Sequence, residues 1–228
     1  MGSETKQIIM DVAEALFATH GYEGTSLRMI TQQAGVNLAA VNYHFGSKAA
    51  LMEAIYERRI RPMNAERLRR LDELEARHGD GQRLPLEPLV EAFIAPALRL
   101  SREGRGNHFI TLLGRSYLES SPTLHAQVRR LFDGVAERFR QAFARALPEL
   151  PSAELYWRLH FMVGVLAYCM TGTEMMRLIA SSRMEASDDP DELITRLVAF
   201  ISHGLAAPAS PVVAVGAAPP RRMGEAVQ

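Results

Sequence analysis

The chain has 228 residues, 47% of them hydrophobic, so it is long enough to bury the cores of two domains. Its 26 Lys and Arg residues balance its 26 Asp and Glu residues, which excludes a uniformly basic surface. A single cysteine, Cys169, excludes an intramolecular disulfide, and the longest apolar run, 161–170, is half the ~20 residues that a membrane-spanning helix needs.

The composition predicts a chain made of helices. Ala, Leu, Arg, Glu and Met are abundant, and the alternating patterns of β-branched residues that indicate strands are nearly absent. The first helix is predicted over 5–20, and its inward side carries Ile9, Val12, Ala13, Leu16 and Phe17 at helical spacing.

Residues 24–48 predict a helix-turn-helix. Thr25 and Ser26 place side-chain oxygens just before an apolar-periodic run, as helix caps do. Gly35 permits the turn that stops this helix, and a second short helix follows with Val41 pointing inward. A small or polar outer face on such a helix can enter a DNA major groove. We expect that face to comprise Asn37, Leu38, Ala39, Asn42, Tyr43 and His44.

The rest of the chain also divides into helices. Ser47 is expected to cap the fourth helix, and Pro62 is expected to kink or break it because proline removes a backbone donor. The segment 66–77 looks like a solvated helix face with many ion pairs. Further helices are predicted at 86–103, 106–118, 123–147, 152–180 and 191–205. Residues 207–228, rich in Ala, Pro, Val and Gly, are predicted to be a disordered tail.

The segment 6–60 resembles the DNA-binding domain of the TetR family of bacterial transcriptional regulators. Matching residues keep the family's order and spacing without a gap: Ala13, Leu16, Phe17, Gly21, Thr25, Ile30, Ala34, Gly35, Val36, Tyr43, Phe45, Lys48 and Leu51. The resemblance implies an all-α fold, with an N-terminal three-helix helix-turn-helix DNA-binding domain (1–60) and a C-terminal helical ligand-binding and dimerisation domain (61–206). It implies a partner, a palindromic double-stranded DNA operator, and we expect a cytoplasmic, nucleoid-associated protein without membrane contact.

Position in the motif assigns roles to individual residues. Contacts with DNA phosphates are predicted for Thr25, Arg28, Tyr43 and Lys48. Base readout is predicted for Asn37, Ala39, Asn42 and His44, because Asn can bond bidentately to adenine and a small residue such as Ala39 or Ala40 can contact a thymine methyl. Asn42 stands where the family often has tyrosine, so its division of labour with Tyr43 stays open. The alternatives are packing of Tyr43 against Lys48 and simple exposure of Asn42.

Charge is the feature that speaks against DNA. Residues 1–78 hold ten Lys or Arg and ten Asp or Glu. A cluster of Arg58, Arg59 and Arg61 follows the motif and softens this objection. We therefore expect few phosphate contacts per subunit and marked sensitivity to salt.

The helices near 152–180 and 191–205 are predicted to form a homodimer interface. Each is apolar on more than one face, as helices buried on most sides are. In the TetR family the last two long helices of each subunit pair into a four-helix bundle. A dimer would set two recognition helices ~34 Å apart, matched to successive major grooves. The alternative is an ordinary monomeric core.

The second domain resembles the PsrA-like branch of the same family, through the segments 113–117, 146–148 and 154–161. This resemblance implies a hydrophobic effector, a fatty acid or an acyl-CoA. An effector pocket is predicted from apolar and polar side chains: Phe93, Asn107, His108, Leu112, Arg115, Phe139, Arg158, Phe161, Met162 and Val165. The alternative is that the apolar residues are core and that Arg158 or Arg115 pairs with Glu154 or Glu119.

The sequence therefore predicts a repressor that a hydrophobic effector releases from its operator. A different apolar effector, or activation instead of repression, stays open. No enzyme is expected, since we find no nucleophile elbow, Gly-rich phosphate loop or paired carboxylates, and no cofactor or metal is expected from the scattered histidines. A helical protein-interaction module would explain the helices but not the Gly35–Lys48 pattern.

Overall fold

The computed structural model describes residues 2–79, 81–100, 106–118, 122–170 and 189–209. Within these ranges the regular structure is helical throughout, which confirms the predicted all-α class. The helices are α1 (Gly2–Gly24), α2 (Leu27–Ala34), α3 (Leu38–Phe45), α4 (Lys48–His78), α5 (Leu86–Arg99), α6 (Gly106–Leu118), α7 (Pro122–Ala146), α8 (Ser152–Met170) and α9 (Pro190–Ala206). The predicted tail lies almost entirely outside the described residues.

The first three helices pack around one small core. Ile9, Phe17, Ile30 and Val41 are fully buried, so α1, α2 and α3 each contribute to it. α1 departs from helical geometry at Gly21, where φ is 74° and ψ is 170°, a conformation that glycine adopts without a Cβ clash. The predicted end of the helix coincides with this break, after which the chain turns towards α2.

Pro62 does not break α4. The helix runs without interruption from Lys48 to His78, and Pro62 lies on its exposed side between the buried residues Ile60 and Met63. Proline removes only one hydrogen bond, and burial of the stripe on both sides holds the helix together. The prediction of a break was therefore wrong. The predicted domain boundary at residue 60 falls inside this helix, and the division into domains stays a prediction.

α4 joins the N-terminal helices to the rest of the protein. It packs against α1 and α3 near its start and against α5 and α7 farther along. α6 makes a second connection, because it contacts both α1 and α8. In the described part of the chain, no helix combines the length and apolar character that crossing a membrane requires.

Candidate DNA-binding interface

Three local devices fix the angle between α2 and α3. The Ser26 hydroxyl accepts a hydrogen bond from the Met29 N–H at 3.2 Å and caps α2. Gly35 ends α2 in the left-handed conformation, with φ of 65°. The Asn37 side-chain oxygen accepts from the Ala40 N–H at 2.9 Å and caps α3. The Ser26 cap and the turn at Gly35 are as the sequence predicts, whereas the cap at Asn37 was not predicted.

The outer face of α3 is exposed and uncharged. Val41 is fully buried and anchors the helix, whereas the side chains of Leu38 and Tyr43 are 51% and 85% exposed. Asn37, Ala39 and Asn42 are exposed beside them, and Ala40 and His44 are half-buried. The predicted base-reading residues thus share one accessible surface, and their contacts with DNA stay a prediction.

The cap on α3 restricts what Asn37 can do. A bidentate contact with adenine uses both the oxygen and the nitrogen of the amide. Because the Asn37 oxygen already accepts from Ala40, only its nitrogen is left for a base. Asn42 is the residue of this face that keeps both amide atoms for such a contact.

Thr25 does not face outward as predicted. It is 1% exposed, and its hydroxyl donates inward to the carbonyl oxygens of Gly21 at 2.8 Å and Leu16 at 3.2 Å. The phosphate contact predicted for this hydroxyl is therefore wrong for this conformation. The neighbouring Ser26 is exposed and caps the start of α2. Arg28, on the same helix, is exposed as expected.

Lys48 ties the end of α1 and the following Thr25 to the start of α4. Its ammonium donates to the carbonyl oxygens of Tyr22 at 2.8 Å and Thr25 at 3.0 Å, and lies 4.2 Å from the centre of the Tyr22 ring. Burial, and next the charge of Glu23, raise the pKa of Tyr22. Lys48 therefore has a structural role that the sequence did not predict. Tyr43 is too exposed to pack against it, so that alternative was wrong.

The expected basic cluster is mostly neutralised. The Glu14 carboxylate is 2% exposed and lies 2.7 Å from Nη2 of Arg58 and 3.0 Å from Nη2 of Arg59. Arg61 pairs with Glu57 on the same helix. Arg58 and Arg59 thus hold α1 against α4 and are not free for phosphates, contrary to the expectation.

One exposed cation near α3 was not predicted from the sequence as a candidate DNA contact. The Lys6 ammonium, on α1, lies 5.7 Å from the centre of the Phe45 ring at the end of α3. This proximity comes from the packing of α1 on α3 and has no local sequence signal. Gln32 and Gln33 on α2 are also exposed, and neither was predicted as a candidate DNA contact.

The predicted effector pocket is only partly assembled. Its buried members are Leu112, Phe139 and Met162, with Phe93 and Val165 half-buried. The Phe93 and Phe139 rings meet edge-on, with their centres 5.1 Å apart. His108 is exposed, and Phe161 is 59% exposed on the outer side of α8, so neither lines this core. The side chains of Asn107 and Arg115 lie outside the described residues.

Arg158 belongs to a structural contact and not to a pocket. Its Nη1 donates to the carbonyl oxygens of Leu205 and Ala207, each at 2.6 Å, and its Nη2 donates to Pro208 at 3.2 Å. Its Nε donates to Glu154 at 2.8 Å, which confirms the alternative pairing. With its donors engaged in this way, Arg158 is not a head-group ligand, and that prediction was wrong.

A different arginine lies in the aromatic core. Arg67 is 2% exposed, and its Nε donates to the carbonyl oxygen of Phe93 at 2.7 Å. Its guanidinium lies 4.4 Å from the Phe93 ring centre and 5.6 Å from that of Phe132. The Asn64 side-chain oxygen accepts from Nη1 at 3.2 Å. The charged pattern of 66–77 predicts a solvated face, which is correct for the exposed Arg69 but wrong for the buried Arg67.

The spacing of residues in the sequence does indicate that Arg67 is buried. Arg67 follows Met63 and precedes Leu71 at intervals of four residues, on the apolar stripe of α4. Extending the apolar stripe of α4 through the charged segment would have predicted that Arg67 is buried.

Two helices of the second half expose aromatic side chains. Tyr156, Trp157, Phe161 and Tyr168 of α8 and Phe200 of α9 are each 48% to 68% exposed. Trp157 and Phe161 lie one turn apart, with ring centres at 5.9 Å. These are the helices that the sequence predicts at a dimer interface, although residues 171–180 lie outside the described part. Among the described residues we find no group of three potential metal ligands.

Comparison with known proteins identifies both halves of the chain. Residues 9–55 match bacterial regulatory proteins of the tetR family, and residues 91–204, half of the chain, match the tetracyclin repressor-like C-terminal domain. The regulator AcrR of Shigella flexneri is 44% identical over 54 residues, 24% of this chain and 25% of AcrR. The regulator SrpR of Pseudomonas putida is 26% identical over 171 residues, 74% of this chain and 73% of SrpR. The chain thus spans about a quarter of AcrR but most of SrpR.

Solved structures agree on the fold. The hemolysin II regulator HlyIIR superposes with a TM-score of 0.60 at 16% identity, covering 89% of this chain and 99% of HlyIIR. FadR of Bacillus subtilis, in complex with stearoyl-CoA, superposes with a TM-score of 0.58 at 13% identity, covering 87% and 98%. The matched domains and the helix-turn-helix geometry lead to one conclusion: the chain belongs to the TetR family of bacterial regulatory proteins.

Proposed function

We propose that this regulator is a homodimeric repressor that binds a palindromic operator through α3 and leaves it when an acyl effector, a fatty acid or an acyl-CoA, binds. The exposed, uncharged face of α3 is the observation that carries the DNA-binding part. Val41 anchors α3 from the buried side, and the caps on α2 and α3 fix the turn between the two helices. The exposed face of α3 is therefore already positioned to enter a major groove.

The aromatic face of α8 and α9 supports the dimer. The side chains of Trp157, Phe161 and Phe200 are more than half exposed. Contact of such large apolar groups with water is unfavourable. Pairing with the same face of a second protomer removes that surface from water and gives a symmetric interface. Two α3 helices then face the same side of a DNA duplex.

The effector class rests on the aromatic rings around Arg67 and on the sequence resemblance. Aromatic side chains suit an acyl chain. The Arg67 guanidinium already donates to Phe93 and Asn64, so its role is to hold α4 against these rings. The PsrA-like sequence resemblance points to the same ligands. FadR of Bacillus subtilis, a structural neighbour, was solved with stearoyl-CoA.

α4 provides the coupling between effector and DNA. It carries Arg67 in the second half, Arg58 and Arg59 against α1, and Lys48 against the loop before α2. A ligand that moves α4 at Arg67 therefore shifts the position of the DNA-binding helices. The effector releases DNA only if it binds more tightly to the conformation in which the two α3 helices are wrongly spaced.

The test is capture of genomic DNA fragments at physiological salt, with sequencing, in the absence and presence of a long-chain acyl-CoA. We expect one palindromic motif, lost when the acyl-CoA is added. Arg67→Gln should bind the motif but no longer release it, and Arg67→Lys should keep part of the response. Arg69→Gln, exposed and two residues away on α4, is the matched control.

The outcomes separate the two parts of the proposal. Failure to enrich any motif contradicts sequence-specific repression. A motif that survives the acyl-CoA contradicts the effector class and leaves DNA binding in place. Release by acyl-CoA that is unchanged in both Arg67 variants contradicts the role of Arg67.

A further inference from the structure

The base-reading surface has an unusual chemical composition for a DNA-binding helix. Residues 37–43 contain no charged side chain. The first residue of α3, Leu38, is 51% exposed, and Ala39 is exposed next to it. Leu38 does not hold α3 in place, since the buried Val41 does so. The fold therefore leaves an apolar side chain in water at the end of the helix that first meets the bases.

The major groove offers few partners for such a surface. Guanine presents two acceptors, O6 and N7, which proteins most often meet with Arg or Lys. The C5-methyl of thymine is the apolar group exposed in this groove, and adenine accepts a bidentate contact from Asn. Among the cations near α3, Arg28 is on α2, which crosses the backbone in this motif, and Lys6 is on α1.

The order of the side chains along α3 matches these thymine and adenine groups of the major groove. In a helix-turn-helix the N-terminal residues of the second helix contact base edges. Leu38 and Ala39 are the first two residues of α3, and Asn42 follows one turn after Leu38. We propose that Leu38 and Ala39 read thymine methyl groups and that Asn42 reads an adenine, so that each operator half-site is selected through A·T pairs. This inference rests on the proposed binding of an operator by α3.

The experiment starts from duplexes selected out of a random pool by the wild-type protein. Each thymine of the selected site is then replaced, one at a time, by deoxyuridine, which lacks only the methyl group. Burial of one methyl contributes about a fourfold change in affinity. We expect a loss of about fourfold at one or two thymines in each half-site and no change at flanking thymines. Replacing guanines by 7-deazaguanine, which lacks N7, should change the affinity less than about twofold, since no guanine N7 contact is expected.

Variants of the exposed Leu38 assign the effect to a side chain without endangering the fold. In Leu38→Ala, the preference for thymine over deoxyuridine should fall to about one at the position that Leu38 reads. Leu38→Met keeps an apolar chain of similar reach and should retain the preference. Ala39→Gly tests the second methyl contact in the same way.

Each outcome decides the inference. Equal affinity of the wild-type protein for thymine and deoxyuridine operators overturns methyl reading, while binding to the selected site still supports the proposed function. Strong losses with 7-deazaguanine at several positions overturn selection through A·T pairs. A pool that yields no preferred site contradicts operator binding itself and is thereby distinguished from both.

Discussion

Arg158 on α8 caps the C-terminal end of α9, because its Nη1 donates a hydrogen bond to the carbonyl oxygen of Leu205 at 2.6 Å. The last carbonyl groups of a helix have no partner within the helix and need one from elsewhere. The guanidinium supplies donors to Leu205, Ala207 and Pro208 together, and Glu154 balances its charge. Arg158 thus fastens the two helices that present the exposed aromatic face.

Replacing this arginine should therefore affect stability and not effector binding. Arg158→Met leaves the buried carbonyl of Leu205 and the part-buried Glu154 without their partner, and we expect the free energy of unfolding to fall by about 3 kcal/mol. Arg196→Met, which removes an exposed pair with Glu192, should change it by less than about 1 kcal/mol. Urea unfolding measures both. An Arg158→Met protein as stable as Arg196→Met, but with altered acyl-CoA affinity, would contradict the structural role.

Glu14 should be essential for holding α1 against α4. In Glu14→Gln the charges of Arg58 and Arg59 lose their shared, buried carboxylate. We expect a loss of about 3 kcal/mol in the free energy of unfolding, near the lower end for breaking a buried ion pair, since both arginines keep some contact with water. Thermal or urea unfolding provides the measurement, with Glu57→Gln, an exposed pair on α4, as control. Equal effects of the two substitutions would rule out this role.

Asn42 should recognise one base pair. Asn42→Ala is expected to reduce the binding free energy by about 1–3 kcal/mol at the cognate operator and to remove the preference at a single position. Fluorescence anisotropy against a set of single-base operator variants measures this. Gln33→Ala, exposed on α2, serves as control. An equal loss at cognate and altered operators would argue that Asn42 does not read a base.

Lys48 should support DNA binding by holding the helices in position. Lys48→Met loses hydrogen bonds to Tyr22 and Thr25, so the free energy of unfolding should fall by roughly 1–2 kcal/mol. All operators should be weakened alike, because no base contact is removed. A phosphate-only role predicts the reverse pattern: unchanged stability, with a salt dependence of binding that is lower by about one ion. Unfolding and salt titration together distinguish the two.

The sequence predicts best where structure is local. The Ser26 cap, the turn at Gly35 and the outward face of α3 all depend on residues within one or two turns. The predicted helix at 106–118 has the observed bounds for the same reason.

The failures are contacts between distant segments. Thr25 turns inward because carbonyls of α1 lie within its reach, and Lys48 contacts the end of α1 and Thr25, more than 20 residues before it. The partners of Arg158 are nearly 50 residues away along the chain. No pattern within α8 reveals them. For Arg67 a local signal existed, but the surrounding ion pairs of α4 concealed it.

The claim that two protomers read one palindrome with their paired α3 helices is tested most directly by stoichiometry. Sedimentation velocity of the selected operator duplex with the protein should show two protomers on the full palindrome. A duplex with one half-site should bind at least about a hundredfold more weakly, since only one recognition helix is engaged. Phe161→Glu, which places a charge on the exposed aromatic face, should give monomers that lose the full palindrome. Tight binding of a single protomer to a half-site, or an operator complex unaffected by Phe161→Glu, would contradict this account.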